Sequence, residues 1–347
     1  MSKRPHARSG APSPTPFPEL DAVLATLAEG ARERLGDNFA GAWLQGSFAV
    51  GDADLSSDVD FIVGVRRDLG AGEVERLDAL HEAIFAMPVE PWRHRLEGSY
   101  VPLDHLRAQT PAPRDPPDEA RGPDWRDPCL AGQGPERYPF WHLPHGAPKL
   151  VRSEHGNTRV VRWCLREKGV TLAGANPRRV VDPVDTAALR AEVQANMGVY
   201  LARGLQPMAT IFHQAFFVVL YCRMLHTLAT GRVGSKKAGA EWAAAHLDPR
   251  WRELIVRSQA ERQWDEPRRL APPDPADVEA THAFAAWAVA FAQAEAQKRR
   301  EALQPPQGRQ GDPAPPGRGG PPGAAGRPLQ SSKFTPPPMR PGRGHRG

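Results

Sequence analysis

The stretch "GSFAVGDADLSSDVDFIVG", residues 46–64, constrains the fold more than any other part of the chain. Its last segment has the apolar content and the period of two that are typical of a buried strand. That period places Asp58 and Asp60 on one strand face together with Ile62. Carboxylates buried without partners are costly, so the fold must bring cations to these two side chains.

The residues around this strand predict what those cations serve. Two carboxylates on alternate residues can bind Mg²⁺, which usually takes one or two carboxylates together with phosphate oxygens. Gly46 and Ser47, on the turn after the preceding strand, can bring backbone N–H groups and a hydroxyl against a triphosphate. Glu97, in the later strand "RLEGSYVPL", is the best-placed third carboxylate, as a metal ligand or a proton acceptor.

Each of these signals also has an ordinary structural interpretation. A D-x-D pair alone is often a solvated acidic pair near a turn, and a Gly-Ser pair after a strand is commonly a simple turn. The combination of strand, Gly-Ser, loop, D-x-D in an apolar strand and a later strand-borne glutamate indicates a metal-dependent nucleotidyl-transfer site.

The pattern of elements predicts an α+β fold. The N-terminal half reads as a small mixed sheet with helices, including a helix from Pro18 to Gly36 and strands in "AGAWLQ", "DVDFIVGV" and "RLEGSYVPL". From Gly156 onward the apolar spacing is helical and several segments end at glycine. We therefore expect an N-terminal nucleotidyltransferase domain followed by a C-terminal all-α helical bundle.

Composition sets the expected domain limits. Residues 1–17 are rich in Pro, Ser and basic residues, and residues 304–347 are rich in Pro, Gly and Arg, so both ends are expected to be disordered. The nucleotidyltransferase domain is expected at 18–150, ending in a long aromatic and Pro-rich loop, and the helical bundle at 151–303. The net charge of +5 comes from the tail, so the rest of the chain is close to neutral and no nucleic-acid partner is expected.

The cysteines and the apolar segments of the chain bear on its compartment and on disulfide or metal chemistry. Cys129, Cys164 and Cys222 are widely separated, which favours packing roles over disulfides or a structural zinc site. The basic N-terminus has no following apolar segment of the secretory type, and no uninterrupted apolar run is long enough to span a bilayer. A cytoplasmic protein without a membrane partner is therefore expected.

At residues 46–60 the chain resembles the DNA polymerase beta superfamily of nucleotidyltransferases, whose signature is Gly-Ser followed by D-x-D. The segment "CRMLHTLATGRVGSKKAGAEWAAAHLDPRWRELI" is similar to the helical domain of the aminoglycoside 3''-adenylyltransferases, which modify streptomycin and spectinomycin. "LREKGVTLAG" and "VVDPV" resemble the earlier helices and connecting loop of that domain. The resemblance implies an enzyme that uses Mg²⁺ and transfers AMP from ATP to a hydroxyl of a small molecule, an aminoglycoside or aminocyclitol antibiotic. We expect the protein to be a monomer.

The resemblance also implies roles for individual residues. It makes Asp58 and Asp60 the Mg²⁺ ligands and Glu97 the base, and it places Lys236 at the nucleotide phosphates, with Lys237 as the neighbouring alternative. Asn157 is expected either to contact the ribose or phosphate of the nucleotide or to cap a helix.

One position departs from the family pattern. The acidic residue that binds the drug in the family is replaced here by His213 or Gln214, which would remove a charge-assisted contact worth about 1.5–3 kcal/mol. The acceptor could therefore be another metabolite or a protein hydroxyl, and the chain could also be a non-catalytic nucleotide-binding regulatory module. A further group of aromatic residues could stack on a substrate ring or pack beneath their loop: Trp125, Tyr138, Phe140, Trp141 and His142.

Overall fold

The structure is a computed structural model that describes residues 13–53, 57–107, 140–206 and 208–303. It divides into two units, Met1–Arg300 and Glu301–Gly347. Every site discussed below lies in the described part of the first unit.

A six-stranded mixed sheet forms the base of the fold. Its strands are β1 (Phe39–Leu44), β2 (Val59–Val65), β3 (Leu96–Pro102), β4 (Phe140–Leu143), β5 (Val151–Ser153) and β6 (Val170–Gly174). They lie in the order β5-β4-β3-β2-β1-β6. The central pair β2–β3 is parallel, and the other pairs are antiparallel.

Five helices accompany the sheet: α1 (Pro18–Leu35), α2 (Gly46–Val50), α3 (Ala71–Phe85), α4 (Leu103–Arg107) and α5 (Arg159–Lys168). Apolar residues of α1 and α3, such as Leu24 and Leu77, pack on the strand face that carries Phe61. The opposite face, which carries Ile62, packs against α4 and α5 through residues such as Leu165. Because Asp60 and Ile62 alternate with Phe61, the acidic face of β2 is the one turned toward α5.

The helices after the sheet are α6 (Thr186–Ala202), α7 (Ile211–Thr230), α8 (Lys236–His246), α9 (Arg252–Glu261), α10 (Glu266–Arg269) and α11 (Pro275–Leu303). Helix α7 begins at the cap residue Thr210, whose hydroxyl accepts a bond from the His213 N–H, and ends at Gly231 in the left-handed conformation. By length and composition α7 could cross a bilayer, but most of its side chains are buried against the neighbouring helices. It forms the centre of the helical core.

The α+β fold class is confirmed, and the sheet is larger than the sequence pattern indicated. Strand β4 lies in the segment that the composition predicts to be a loop, and β5 and β6 lie beyond residue 150, within the segment predicted to form the helical bundle. Strand β6 pairs with β1, and the Trp43 indole N–H donates to the Ala175 carbonyl at 2.8 Å. The domain limits stay a prediction, and residues 1–12 and 304–347 of the expected disordered ends lie outside the described part.

Candidate active site

Three carboxylates meet at the starts of the two parallel central strands. Asp58 directly precedes β2, Asp60 is the second residue of β2, and Glu97 is the second residue of β3. Asp60 and Glu97 are direct partners in the β2–β3 register. Residues that are partners in this register point to the same face of the sheet, so both carboxylates lie on that face. The two strands are about 4.7–4.9 Å apart.

The backbone of Gly46 lies directly against the Asp60 carboxylate. The residue has a φ of +67° and opens the short helix α2, where the sequence predicted a turn. A Cβ built on Gly46 would lie 1.9 Å from the Asp60 Oδ2 atom, so only glycine leaves room for this carboxylate. The Gln45 N–H donates to the Asp60 carbonyl at 2.8 Å and holds the two segments together. Ser47 follows in the first turn of α2 and is half-buried.

The three carboxyl groups differ in their affinity for protons. Desolvation, together with the charges of Glu97 and Asp58, raises the pKa of Asp60 to about 8. Desolvation opposes ionisation of Asp58, but its contact with His145 outweighs that effect and lowers the Asp58 pKa. Glu97 is also desolvated, and its contacts with His142 and His155 lower its pKa overall.

Cations from the helical region complete the surroundings. Lys236 is the first residue of α8, and its Nζ lies 5.0 Å from the centre of the Phe216 ring. Desolvation and the charges of Arg262 and Arg223 lower the Lys236 pKa to about 8, against the opposing effect of Asp60 and Asp58. Arg223, on α7, also acts on Asp60. The sequence analysis missed Arg223 because it is a single charge within an almost wholly apolar helix.

The N-terminus of α8 is joined directly to the loop beside the acidic strand. The backbone N–H of Lys237 donates to Asp52 Oδ2 at 3.1 Å, while the Lys237 side chain is exposed. Of the two lysines that the sequence left as alternatives, Lys236 is the one whose charge acts on Asp58 and Asp60.

The acidic group has the chemistry of a divalent cation site. Three carboxylates face one another, and desolvation holds one of them largely protonated at neutral pH. A hard cation with oxygen ligands would relieve this repulsion, and Asp58 and Asp60 can supply the one or two carboxylates that Mg²⁺ usually takes. The residues present therefore fit Mg²⁺.

Three histidines lie beside these carboxylates, and the sequence analysis gave none of them such a position. His145 Nδ1 lies 2.9 Å from Asp58 Oδ1. The Nε2 atoms of His142 and His155 lie 3.6 and 3.7 Å from Glu97 Oε1. His142 belongs to β4 and His155 follows β5, so long-range strand pairing brings them here. No local sequence spacing could have indicated this cluster.

Asn157 is buried beside the start of α5. Its side-chain oxygen accepts a bond from Arg162 at 3.1 Å. The cap of α5 is the next residue, Thr158, whose hydroxyl accepts from the Val161 N–H. Of the two roles expected for Asn157, the contact with a nucleotide stays a prediction, and the cap position belongs to its neighbour.

Part of the aromatic segment, and both His213 and Gln214, lie within the described residues. Phe140 is buried, and the Trp141 ring lies under the Arg152 guanidinium at 4.5 Å, whereas Trp125 and Tyr138 lie outside the described residues. Gln214 is buried and donates to Thr281 at 2.6 Å, so it is committed to the helical core. His213, which is half-buried and contacts Thr210 at 2.9 Å, is the more accessible of the two candidates.

Comparisons with known proteins agree with this geometry. Residues 179–286 match the family model described as the aminoglycoside adenylyltransferase C-terminal domain. The fold is similar to that of spectinomycin adenyltransferase AAD(9) from Enterococcus faecialis, solved with ATP and spectinomycin. That similarity has a TM-score of 0.54 at 13% identity and covers 77% of this chain and 98% of the other. A search of curated proteins gives no match. The predicted resemblance is confirmed: residues 179–286 resemble the C-terminal domain of the aminoglycoside adenylyltransferases, and the fold resembles that of a spectinomycin adenyltransferase.

Proposed function

We propose that this protein transfers AMP from ATP to a hydroxyl group of a small aminoglycoside or aminocyclitol, in a reaction that requires Mg²⁺. The observation that carries the proposal is the alignment of Asp58, Asp60 and Glu97 on one face of β2 and β3, opposite the cations Lys236 and Arg223. This arrangement pairs a site for a divalent cation with a site for phosphate charge.

Glu97 is the group best suited to take the proton of the acceptor hydroxyl. Its lowered pKa keeps it ionised near neutral pH, and it sits beside Asp60 on the parallel strand. The hydroxyl oxygen then forms a bond to the α-phosphorus while the bond from that phosphorus to the bridging oxygen breaks. The proton goes to Glu97, and pyrophosphate leaves with the electron pair.

Asp58 and Asp60 would hold the magnesium ion, which when bound neutralises phosphate charge and aligns the α-phosphate for attack. Protonated Asp60 must lose its proton to act as a ligand, because its pKa of about 8 leaves it largely neutral at pH 7 without a cation.

The remaining residues of the proposal act on the nucleotide. Lys236 and Arg223 would bind the phosphate oxygens, and negative phosphate charge would restore the full protonation of Lys236. Gly46 and Ser47, at the start of α2, offer backbone N–H groups and a hydroxyl on the same side of the sheet as Asp60. Asn157 is proposed to contact the ribose or a phosphate.

Two observations bear on the chemical class of the acceptor: the structural neighbour and the side chain of His213. The structural neighbour was solved with spectinomycin, which favours a cationic aminocyclitol acceptor. His213 gives a site with no fixed negative charge at that position, and its pKa is lowered by desolvation. This observation favours, as the second candidate, a less cationic hydroxyl compound or a protein hydroxyl as the acceptor.

The direct test measures Mg²⁺-dependent release of pyrophosphate from ATP by the purified full chain. Streptomycin, spectinomycin and no acceptor are the three arms, and Asp58→Asn is the inactive reference. Release that requires one of the drugs supports the proposal. No release with either drug, in protein that binds ATP, contradicts the antibiotic acceptor and directs the search to other hydroxyl compounds.

The role of Glu97 is tested separately with Glu97→Gln. We expect the amide to keep the shape and the ATP affinity of the site but to reduce turnover by about 100-fold or more, since it cannot accept the proton. ATP binding by calorimetry and pyrophosphate release are the two measurements. A fully active variant would remove Glu97 from the mechanism.

A further inference from the structure

A second cluster of ligand-type atoms contains Glu97 but neither Asp58 nor Asp60. It consists of a Glu97 carboxylate oxygen and one ring nitrogen each of His142 and His155, all within 4.8 Å of one another. The two imidazole rings are stacked, with their centres 4.4 Å apart and their planes inclined by 27°. Their Nε2 atoms approach the same oxygen, Glu97 Oε1, at 3.6 and 3.7 Å.

These two separations are longer than hydrogen bonds. They are close to the distance between two ligands of a tetrahedral zinc ion, which is about 3.4 Å for metal–ligand bonds of about 2.0–2.1 Å. The two separations from the carboxylate oxygen thus match the spacing of ligands around a cation.

The hydrogen bonds of Ser99 bear on which ring nitrogen of His142 carries the proton. The Ser99 hydroxyl donates its only proton to the His155 carbonyl at 3.1 Å. The same oxygen lies 3.0 Å from His142 Nδ1, so the tautomer with its ring proton on Nδ1 can donate that proton to Ser99. With this tautomer the Nε2 lone pair of His142 is available to a cation bound between that nitrogen and the Glu97 carboxylate.

This arrangement has the construction of a metal site. Ligating histidines donate their second ring N–H to a fixed acceptor, which orients the ring. Here that acceptor, Ser99, is 1% exposed and His142 is 3% exposed, so the orientation is set by the folded core.

We propose that Glu97, His142 and His155 bind a borderline divalent transition-metal ion of the Zn²⁺ class, at a site distinct from the Asp58–Asp60 magnesium site. Two imidazoles and one carboxylate favour such ions over Mg²⁺, which prefers oxygen ligands alone. Three protein ligands leave one position for water, as in zinc sites with an open coordination position. Completing the coordination requires His155 to rotate out of its stack on His142, and its side chain is 55% exposed on the other side.

The functional consequence rests on the proposed function. A zinc ion bound to Glu97 would withdraw charge from the carboxylate and make it a weaker base, so Zn²⁺ should inhibit AMP transfer in the presence of excess Mg²⁺. The binding itself is measured without any reaction, so the two proposals can fail independently.

The test is a zinc titration of the tag-free full chain in competition with a chromophoric chelator, after removal of metal by dialysis against a chelator. A Cys129→Ser background removes the thiol that lies outside the described residues. We expect one tight equivalent of Zn²⁺ in excess Mg²⁺, and at least about 100-fold weaker binding in His155→Ala. Ser99→Ala keeps all three ligands and should weaken binding by about 10-fold through loss of the His142 orientation.

Two controls locate the ion. His246→Ala removes an exposed histidine on α8 and should leave the affinity unchanged. His145→Ala tests the neighbouring group formed by Asp58, Glu97 and His145, and it should also leave the affinity unchanged. With Co²⁺ as the probe, the visible absorption of a four-coordinate ion should appear in the parent protein and be absent in His155→Ala. Equal zinc binding in the parent and His155→Ala, or a loss confined to His145→Ala, would overturn the proposal.

Discussion

At the scale of single residues, the contact between Gly46 and Asp60 shows how closely the backbone and the acidic group fit each other. The glycine adopts a positive φ, and its hydrogen faces the space that the Asp60 carboxylate fills. Gly51, at the other end of α2, has a φ of +76° but no atom within 4 Å of a built Cβ. Alanine at Gly51 would therefore cause backbone strain alone, whereas alanine at Gly46 would also displace the Asp60 carboxylate.

Gly46→Ala should abolish Mg²⁺-dependent turnover, because the added methyl group would displace the Asp60 carboxylate. Gly51→Ala is the matched control and should keep turnover. Gly51→Ala should lower the free energy of unfolding by about 1–2 kcal/mol, the cost of a left-handed conformation for alanine, and Gly46→Ala should lower it further because of the clash with Asp60. Urea denaturation and pyrophosphate release distinguish the two effects. Turnover retained in Gly46→Ala would show that Asp60 does not depend on this contact.

His81, on α3, predicts a pH dependence of stability. Its Nε2 lies 2.9 Å from the Tyr100 hydroxyl, and desolvation together with the charge of Arg34 lowers its pKa to about 3. An unfolded histidine titrates near 6.5, so below that pH the unfolded chain binds a proton that the folded chain does not. The stabilising contribution is therefore complete above pH 6.5 and is lost as the pH falls toward 3.

The measurement compares the free energy of unfolding of the parent protein and His81→Gln at pH 7.5 and pH 5.5. Between these values the parent should lose about 1.4 kcal/mol more than the variant, because only the parent carries this linkage. Equal losses in both proteins would mean that His81 is accessible to protons in the folded state.

At the scale of elements, helix α8 connects the helical region to the acidic strand by two different groups. The Lys236 side chain acts on the carboxylates through its charge, whereas Lys237 contributes only its backbone N–H to Asp52. A side-chain substitution can remove the first interaction and leave the second intact.

Lys236→Ala should weaken ATP binding by about 10- to 100-fold, which corresponds to the loss of a charged hydrogen bond. Lys237→Ala should bind ATP as the parent does, because its side chain is exposed and alanine keeps the N–H. Calorimetric titration with ATP and Mg²⁺ measures both affinities. The reverse order of effects would move the phosphate-binding residue by one position.

The elements that could be predicted from the sequence are those with a strong local pattern. Helix α1 has a proline start and a glycine end, and β2 has a period of two, so both could be placed. Strand β4 could not, since it follows a long segment rich in proline and glycine. Strands β5 and β6 are short and only half-buried, so they lack a clear apolar alternation. The histidines near Asp58 and Glu97 lie on β4 or directly after β4 and β5, so they were missed for the same reason.

At the scale of the whole molecule, the sheet continues well past the expected domain boundary. Strand β6 covers the edge of β1, and the segment after it accepts the indole N–H bond of Trp43. A chain cut at residue 150 would lose β5 and β6 and would leave the β1 edge and a buried indole N–H without partners.

We expect residues 1–150 to lack a cooperative unfolding transition and residues 1–184 to have one, because the longer fragment contains all six described strands. Thermal denaturation followed by circular dichroism is the measurement. Cooperative unfolding of the shorter fragment at the same temperature as the longer one would support a domain limit at residue 150.

The proposed activity depends on the alignment of the parallel strands β2 and β3. Asp60 faces Glu97 only in the present register, and a shift of β3 by one residue would turn Glu97 to the other side of the sheet and bring Leu96 or Gly98 opposite Asp60. A screen for catalysis therefore also selects correct alignment of these two strands. Insertions and deletions in the segment that joins them should be tolerated only when they preserve that alignment, whatever their effect on stability.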